Sequence, residues 1–87
     1  MGLDQDFEAA AESIKELTKR PTDEELLELY ALFKQATVGD VNVGKPGMLD
    51  LKGKAKWNQW NNKKGMSKMA AKEAYITYAN NLMQKYK

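Results

Sequence analysis

Apolar residues return at three- and four-residue steps in four separate stretches of the chain, and polar residues fill the positions between them. Phe7, Ala10, Ala11, Ile14 and Leu17 form the first stripe, which predicts an amphipathic helix ending near Lys19-Arg20, just before Pro21. Thr22-Asp23-Glu24-Glu25 has the order of a capping box, with Leu26, Leu27, Leu29, Tyr30, Leu32 and Phe33 behind it, so a second helix is expected from Thr22 to about Ala36. Helical spacing resumes near Asp50 with Leu51, Ala55, Trp57 and Trp60, and Asn61-Asn62-Lys63-Lys64-Gly65 closes that segment. Ser67 is placed to cap a fourth helix carrying Ala71, Ala74, Tyr75, Tyr78, Leu82 and Tyr86. No alternating strand pattern, internal repeat or low-complexity tract competes. Isolated helices of about 12–15 residues are marginal in water, so the four must hold one another through their apolar faces. The fold class is therefore all-α, a small four-helix bundle in one domain, 1–87.

Between the second and third helices, Val38 to Met48 contains three glycines and a proline, and a loop of that length is above the usual median and often functional. Composition narrows the chemistry. The 87 residues include no Cys and no His, which removes disulfides, thiol nucleophiles, the commonest general base and the commonest metal ligands. The acids fit a solvated face of the first helix (Asp4, Asp6, Glu8, Glu12, Glu16) or a helix start (Asp23 to Glu25), with no carboxylate dyad. An enzyme is not expected, nor is a metal or cofactor. No apolar run is long enough to cross a membrane, Met1-Gly2-Leu3 opens no signal sequence, and Asp6 stands where a myristoylation motif wants Ser or Thr. A cytoplasmic location is expected.

A net charge of +2 conceals an asymmetry. Residues 1–33 carry nine acids against three bases, whereas residues 34–87 carry eleven lysines against Asp40, Asp50 and Glu73. That division suggests an anionic partner. Leu27, Tyr30 and Lys34 follow at spacings of three and four, so one face of the second helix runs from apolar through aromatic to cationic, as an amphiphilic anion would require. The commoner meaning of such a stripe is core with a rim lysine, and both readings stand. Lys52, Lys54 and Lys56 can direct ammonium groups to phosphate or to water alone. Gly53 inside a helix costs about 1 kcal/mol relative to alanine, which points to close approach of another group. Trp57 and Trp60 read as packing anchors, and Tyr75 as a core ring whose hydroxyl stays near solvent.

The segments Phe33-Lys34-Gln35-Ala36-Thr37-Val38-Gly39-Asp40 and Pro46-Gly47-Met48-Leu49-Asp50-Leu51-Lys52-Gly53-Lys54-Ala55-Lys56-Trp57, followed by Trp60-Asn61, resemble the acyl-CoA-binding protein family, also called diazepam-binding inhibitor or endozepine. The resemblance runs from about Phe7 to Tyr86. It implies an up-down-down-up bundle with the first and last helices together, and a carrier that buffers and transports medium- to long-chain fatty acyl-CoA. It further implies that Tyr30, Lys34, Lys56 and Tyr75 recognise the 3′-phosphate and adenine, with Ala11, Lys15, Arg20, Leu27 and Ala55 around the ligand. Implied partners are the long-chain acyl-CoA itself, with acyl-CoA-using enzymes and membranes by transient contact. A monomer is expected, and nucleic acid is not, because the lysines are dispersed and carry no recognition motif. The alternative within the resemblance is an endozepine-like peptide acting on a receptor or membrane protein. The chain departs from the family pattern at Phe33, often Tyr, at Asn42-Val43-Gly44-Lys45, where an acid often precedes Pro-Gly, and in the fourth helix. There, Ser67-Lys68-Met69-Ala70 lacks the usual acids, and Thr77, Tyr78, Asn80 and Asn81 replace stronger helix formers.

Overall fold

The computed structural model describes residues 2–86, which form four α-helices in the order α1 (Leu3–Lys15), α2 (Asp23–Thr37), α3 (Leu51–Asn61) and α4 (Lys68–Lys85). Three of the starts follow from short side chains that satisfy the orphan amides of a first turn. At α2 the capping box closes in both directions: the Glu25 amide donates to Thr22 Oγ1 at 3.1 Å, and the Thr22 amide donates to Glu25 Oε1 at 2.9 Å. Ser67 Oγ accepts from the Ala70 amide at 3.0 Å and starts α4. At α3 the cap is Asp50, whose Oδ1 accepts from the Gly53 amide at 2.9 Å.

One expectation needs correction. The first helix stops at Lys15 rather than near Arg20, because the Glu16 and Leu17 amides turn back three residues, to the Ser13 and Ile14 carbonyls, and tighten the last turn out of α geometry. Gly53 shows the close approach expected of it, and the approaching group belongs to the chain itself. A Cβ there would collide with Asp50 Oδ2, so the group that approaches closely is the capping carboxylate.

α4 packs against α1 and α2, and α3 packs on α2. Asp4 at the start of α1 pairs with Lys72 at the start of α4 at 2.5 Å, so these helices run parallel. Glu25 at the start of α2 pairs with Lys85 at the end of α4 at 2.8 Å, so those two run antiparallel. The first and last helices thus lie together in the same sense, as the resemblance implied. The core comprises Phe7 and Ala10 of α1, Leu29, Leu32 and Ala36 of α2, and Ala71, Tyr75, Ala79 and Leu82 of α4. Phe7 stacks on Phe33 with centroids 5.4 Å apart, and Tyr75 meets Phe7 edge-on at 5.0 Å.

Glu25 is the joint between two helix ends. Besides closing its own cap, it accepts from Lys85 Nζ and from the Tyr86 hydroxyl, and these bonds, that of Lys85 first, hold its pKa down at about 2. Glu28 joins α2 to α3 through Lys63 at 2.6 Å and Gln59 at 2.7 Å. Each cross-helix ion pair therefore takes its acid from residues 1–33 and its lysine from the remainder. Part of the charge asymmetry is spent inside the bundle, not on a partner.

Candidate functional site

α2 is the spine of the site. Its core face is Leu29, Leu32 and Ala36; Leu27 and Tyr30 lie off that face, half-buried, and belong neither to the core nor to the residues packed on it. The core reading of this pair therefore fails, and the apolar-to-cationic face predicted from Leu27, Tyr30 and Lys34 is left open. α3 lies alongside, and each of the two helices sets a lysine over a ring of the other. Lys56 Nζ stands 5.3 Å from the centroid of Tyr30, and Lys34 Nζ stands 5.4 Å from that of Trp60. A cation over a ring face is held by the ring quadrupole while its remaining N–H donors stay free. Neither lysine has a carboxylate partner among the described residues. Both are positioned cations without a built-in counterion.

Three polar fastenings hold this arrangement. Gln35 is fully buried on α2, and its Nε2 donates to Asp40 Oδ1 and to the Met66 carbonyl, both at 2.8 Å. Asp40 Oδ1 also accepts from the Gly65 amide at 2.9 Å, and these bonds, Gly65 first, lower the Asp40 pKa. One side chain thus ties the end of α2 to the turn between α3 and α4. Trp60 is buried and its Nε1 donates to the Gly39 carbonyl at 2.8 Å, where Gly39 takes φ +96°, a region open to glycine at little cost. Trp57 differs from the expected packing anchor: it is half-buried, and its Nε1 holds the long loop through the Val43 carbonyl at 2.8 Å. Lys45 Nζ lies 6.0 Å from its ring.

The other predicted residues are distributed around this spine. Tyr75 is only 5% exposed, its ring closed in by Phe7 and Phe33, and burial raises its pKa, so it remains a protonated donor at neutral pH. Its hydroxyl is not sealed in; among the described residues the one enclosed side-chain polar atom without a partner is Gln35 Oε1. Ala11 and Lys15 line a cleft of about 670 Å³ between α1, the end of α2 and the start of α4. Its floor is Phe7, Ala11, Phe33 and Ala36, and its rim carries acids and lysines, with Lys15 Nζ 3.4 Å from Glu12 Oε1. Tyr30, Lys34, Lys56, Tyr75, Leu27, Arg20 and Ala55 do not line that cleft. Ala55 is half-buried on α3, next to Lys56. Arg20 stands apart in the α1–α2 connection, its guanidinium 2.9 Å from Asp23.

Sequence reasoning missed Gln35, Asp40 and Glu28 as organisers and treated Trp60 as packing alone. Gln35 had a signal: it follows Leu32 by three on the core side of α2, where a buried amide needs partners. Glu28 had none, since Gln59 and Lys63 lie 31 and 35 residues away.

Among the described residues no three His, Cys, Asp or Glu side chains gather where a metal ion could be held, and no helix is long and apolar enough to cross a membrane. The arrangement offers fixed cations, aromatic faces and apolar surface, the components of a site that binds an amphiphilic anion.

Comparison with known proteins gives the same direction. The family model described as acyl CoA binding protein matches residues 4–79. An acyl-CoA-binding protein homolog of Drosophila melanogaster is 60% identical over 84 residues, covering 97% of this chain and 98% of that protein. The crystal structure of acyl-CoA-binding protein 2 from Oryza sativa superposes with a TM-score of 0.93 at 44% identity, over 98% of this chain and 92% of the other. A crystal structure from Moniliophthora perniciosa gives 0.89 at 40% identity, over 99% and 84%. With a match across most of its length in sequence and in helix arrangement, this chain belongs to the acyl-CoA-binding protein family.

Proposed function

We propose that this protein is a noncatalytic carrier of medium- to long-chain fatty acyl-CoA, acting as one domain over residues 1–87. The observation that carries the reading is a pair of lysines held over rings and without a carboxylate partner among the described residues, Lys56 over Tyr30 and Lys34 over Trp60. In this role Tyr30, Lys34 and Lys56 take the 3′-phosphate, and the outward end of Tyr75 takes the adenine region. Ala11, Lys15, Leu27 and Ala55 border the rest of the ligand, with Arg20 at the margin. Phosphate needs charged donors, and a charge-assisted hydrogen bond contributes about 1.5–3 kcal/mol. The tail contributes through area: each methylene removed from water adds about 0.8 kcal/mol, so a long-chain thioester binds far more tightly than coenzyme A.

The carrier works as a monomer in the cytoplasm, needs no metal or cofactor, and meets acyl-CoA-using enzymes and membranes by transient contact. The relatives carry acyl-CoA binding in their names, which favours this reading over a peptide acting on a receptor.

The test is calorimetric titration with palmitoyl-CoA, coenzyme A and palmitate, side by side at moderate salt. Tight one-to-one binding of the thioester with both fragments much weaker is expected. Equal affinity for thioester and palmitate would remove the head-group role, and no binding of the thioester would overturn the proposal.

A further inference from the structure

A groove of about 370 Å³ runs between α2 and α4. Glu28 and Leu32 form its α2 wall, and each stands two residues from Tyr30, which at about 100° per residue sets them on the opposite face of that helix. Glu73 and Thr77 of α4 stand in the same relation to Tyr75. None of the residues assigned to acyl-CoA lines this groove.

Thr77, Tyr78 and Asn81, three of the four residues by which the middle of α4 departs from the pattern of its family, do line it. Thr and Asn are poor helix formers, Thr because its branched side chain loses freedom and Asn because its amide competes for the backbone. Both side chains are exposed, and neither makes a hydrogen bond among the described residues. A local rule broken with no gain inside the bundle points to a partner outside it.

The lining defines the chemistry of that partner. No lysine or arginine borders the groove, whereas Lys15, Lys68 and Lys72 rim the cleft beside α1. Glu28 is already engaged by Gln59 and Lys63, but Glu73 is an exposed carboxylate outside every ion pair among the described residues. Thr77 and Asn81 follow it at one and two turns of α4 and offer uncommitted neutral acceptors. Leu32 and Ala74 add apolar surface, and Tyr78 a half-buried ring. An ammonium is a compact, strongly hydrated point with three donors. A guanidinium is weakly hydrated, carries five donors in a fork that fits a carboxylate, and stacks on aromatic rings, while its methylene stem covers apolar surface. One open carboxylate, two neutral acceptors, a ring and an apolar floor are therefore complementary to arginine.

We propose that the groove between α2 and α4 docks an arginine-bearing segment of a partner protein. The guanidinium meets Glu73, Thr77 and Asn81 beside the Tyr78 ring, and its stem lies over Leu32 and Ala74. Because Tyr30 and Lys34 look the other way, docking leaves the acyl-CoA side open.

Nitrogen–proton correlation spectra of the intact protein, titrated with N-acetylarginine amide, test it. The backbone signals of Thr77, Tyr78 and Asn81 shift saturably. N-acetylcitrulline amide, which keeps the shape and loses the charge, binds at least about fivefold more weakly, and N-acetyllysine amide also binds more weakly than the arginine probe. In Glu73→Gln the preference for arginine over citrulline falls to about twofold or less. Glu73 is exposed, so that variant keeps its melting temperature and its palmitoyl-CoA affinity, and the latter separates failure of docking from failure of the carrier reading. Absence of a saturable shift with the arginine probe overturns the proposal, as does equal response to arginine and citrulline or a preference that survives Glu73→Gln. Tighter binding of free arginine than of the capped form assigns the groove to a small molecule and overturns it too. So does self-association in sedimentation that Arg20→Gln abolishes, since Arg20 is the one arginine of this chain and a second copy would then be the occupant.

Discussion

Lys34→Met removes one ammonium group while leaving an unbranched stem beside Trp60. Lys34 is half-buried, its Nζ is 5.4 Å from the Trp60 centroid, and no carboxylate holds it among the described residues, so its charge is free for a ligand phosphate. The cation–π contact contributes about 0.5–1 kcal/mol. It is present without ligand as well, so its loss appears as a lower melting temperature, by less than roughly 8 °C for a domain of this size. The ligand term is separate. A charge-assisted hydrogen bond to the 3′-phosphate contributes about 1.5–3 kcal/mol, which is roughly 10- to 150-fold in Kd. Palmitoyl-CoA and its 3′-dephospho analogue, titrated into wild type and variant in the same buffer, complete a thermodynamic cycle in which every contribution except that of the phosphate cancels. The variant should lose that factor for palmitoyl-CoA and change about twofold or less for the analogue. Equal losses for both ligands would refute the assignment of Lys34 to the phosphate, whatever the total effect on affinity.

Other expectations concern the fastenings of the site. Gln35→Leu removes both bonds that tie the end of α2 to the turn between α3 and α4, leaves the Met66 carbonyl without its donor and should cost about 1–3 kcal/mol; an unchanged thermal midpoint by circular dichroism would show that the network is not structural. Gly53→Ala should give little or no stabilisation alone, because its Cβ displaces the Asp50 cap. In an Asp50→Ala background it should stabilise by about 0.8–1 kcal/mol. Denaturant midpoints that shift equally in the two backgrounds would contradict the cap explanation. The Glu25 pKa is lowered from 4.5 to about 2 on folding, so its bonds to Lys85, Tyr86 and Thr22 stabilise the fold above pH 4.5, and that contribution is lost as pH falls toward 2. Stability measured across that window should fall less steeply in Glu25→Gln, and parallel pH profiles would contradict the joint described for the α2 and α4 ends.

Much of the fold was legible because helices are written in local terms. The three- and four-residue stripes, the Thr22–Glu25 box and Ser67 are statements about neighbours along the chain, and the structure reproduces the four helices and both caps, with α2 running to Thr37, while Leu17 falls beyond α1 and Leu51 stands in solvent. Of the candidate site, the face of Leu27, Tyr30 and Lys34 was legible because it is a matter of helical phase, and phase is local. What local rules could not supply was the length of α1, where a tightened turn ends the helix before Pro21 requires it.

By itself the sequence determined an all-α chain without His or Cys, four helices with the starts of three, a lysine-rich second half and membership in a recognisable family. Only the tertiary structure decided which lysines serve the bundle and which stay available. Lys63, Lys72 and Lys85 meet Glu28, Asp4 and Glu25, while Lys34 and Lys56 stand over Trp60 and Tyr30. It also decided that Leu27 and Tyr30 face away from the core and that Trp57 fastens a loop. The physical reason is range: helix phase and capping act over about four residues, whereas an ion pair or a cation over a ring depends on which helix faces meet across tens of residues of chain.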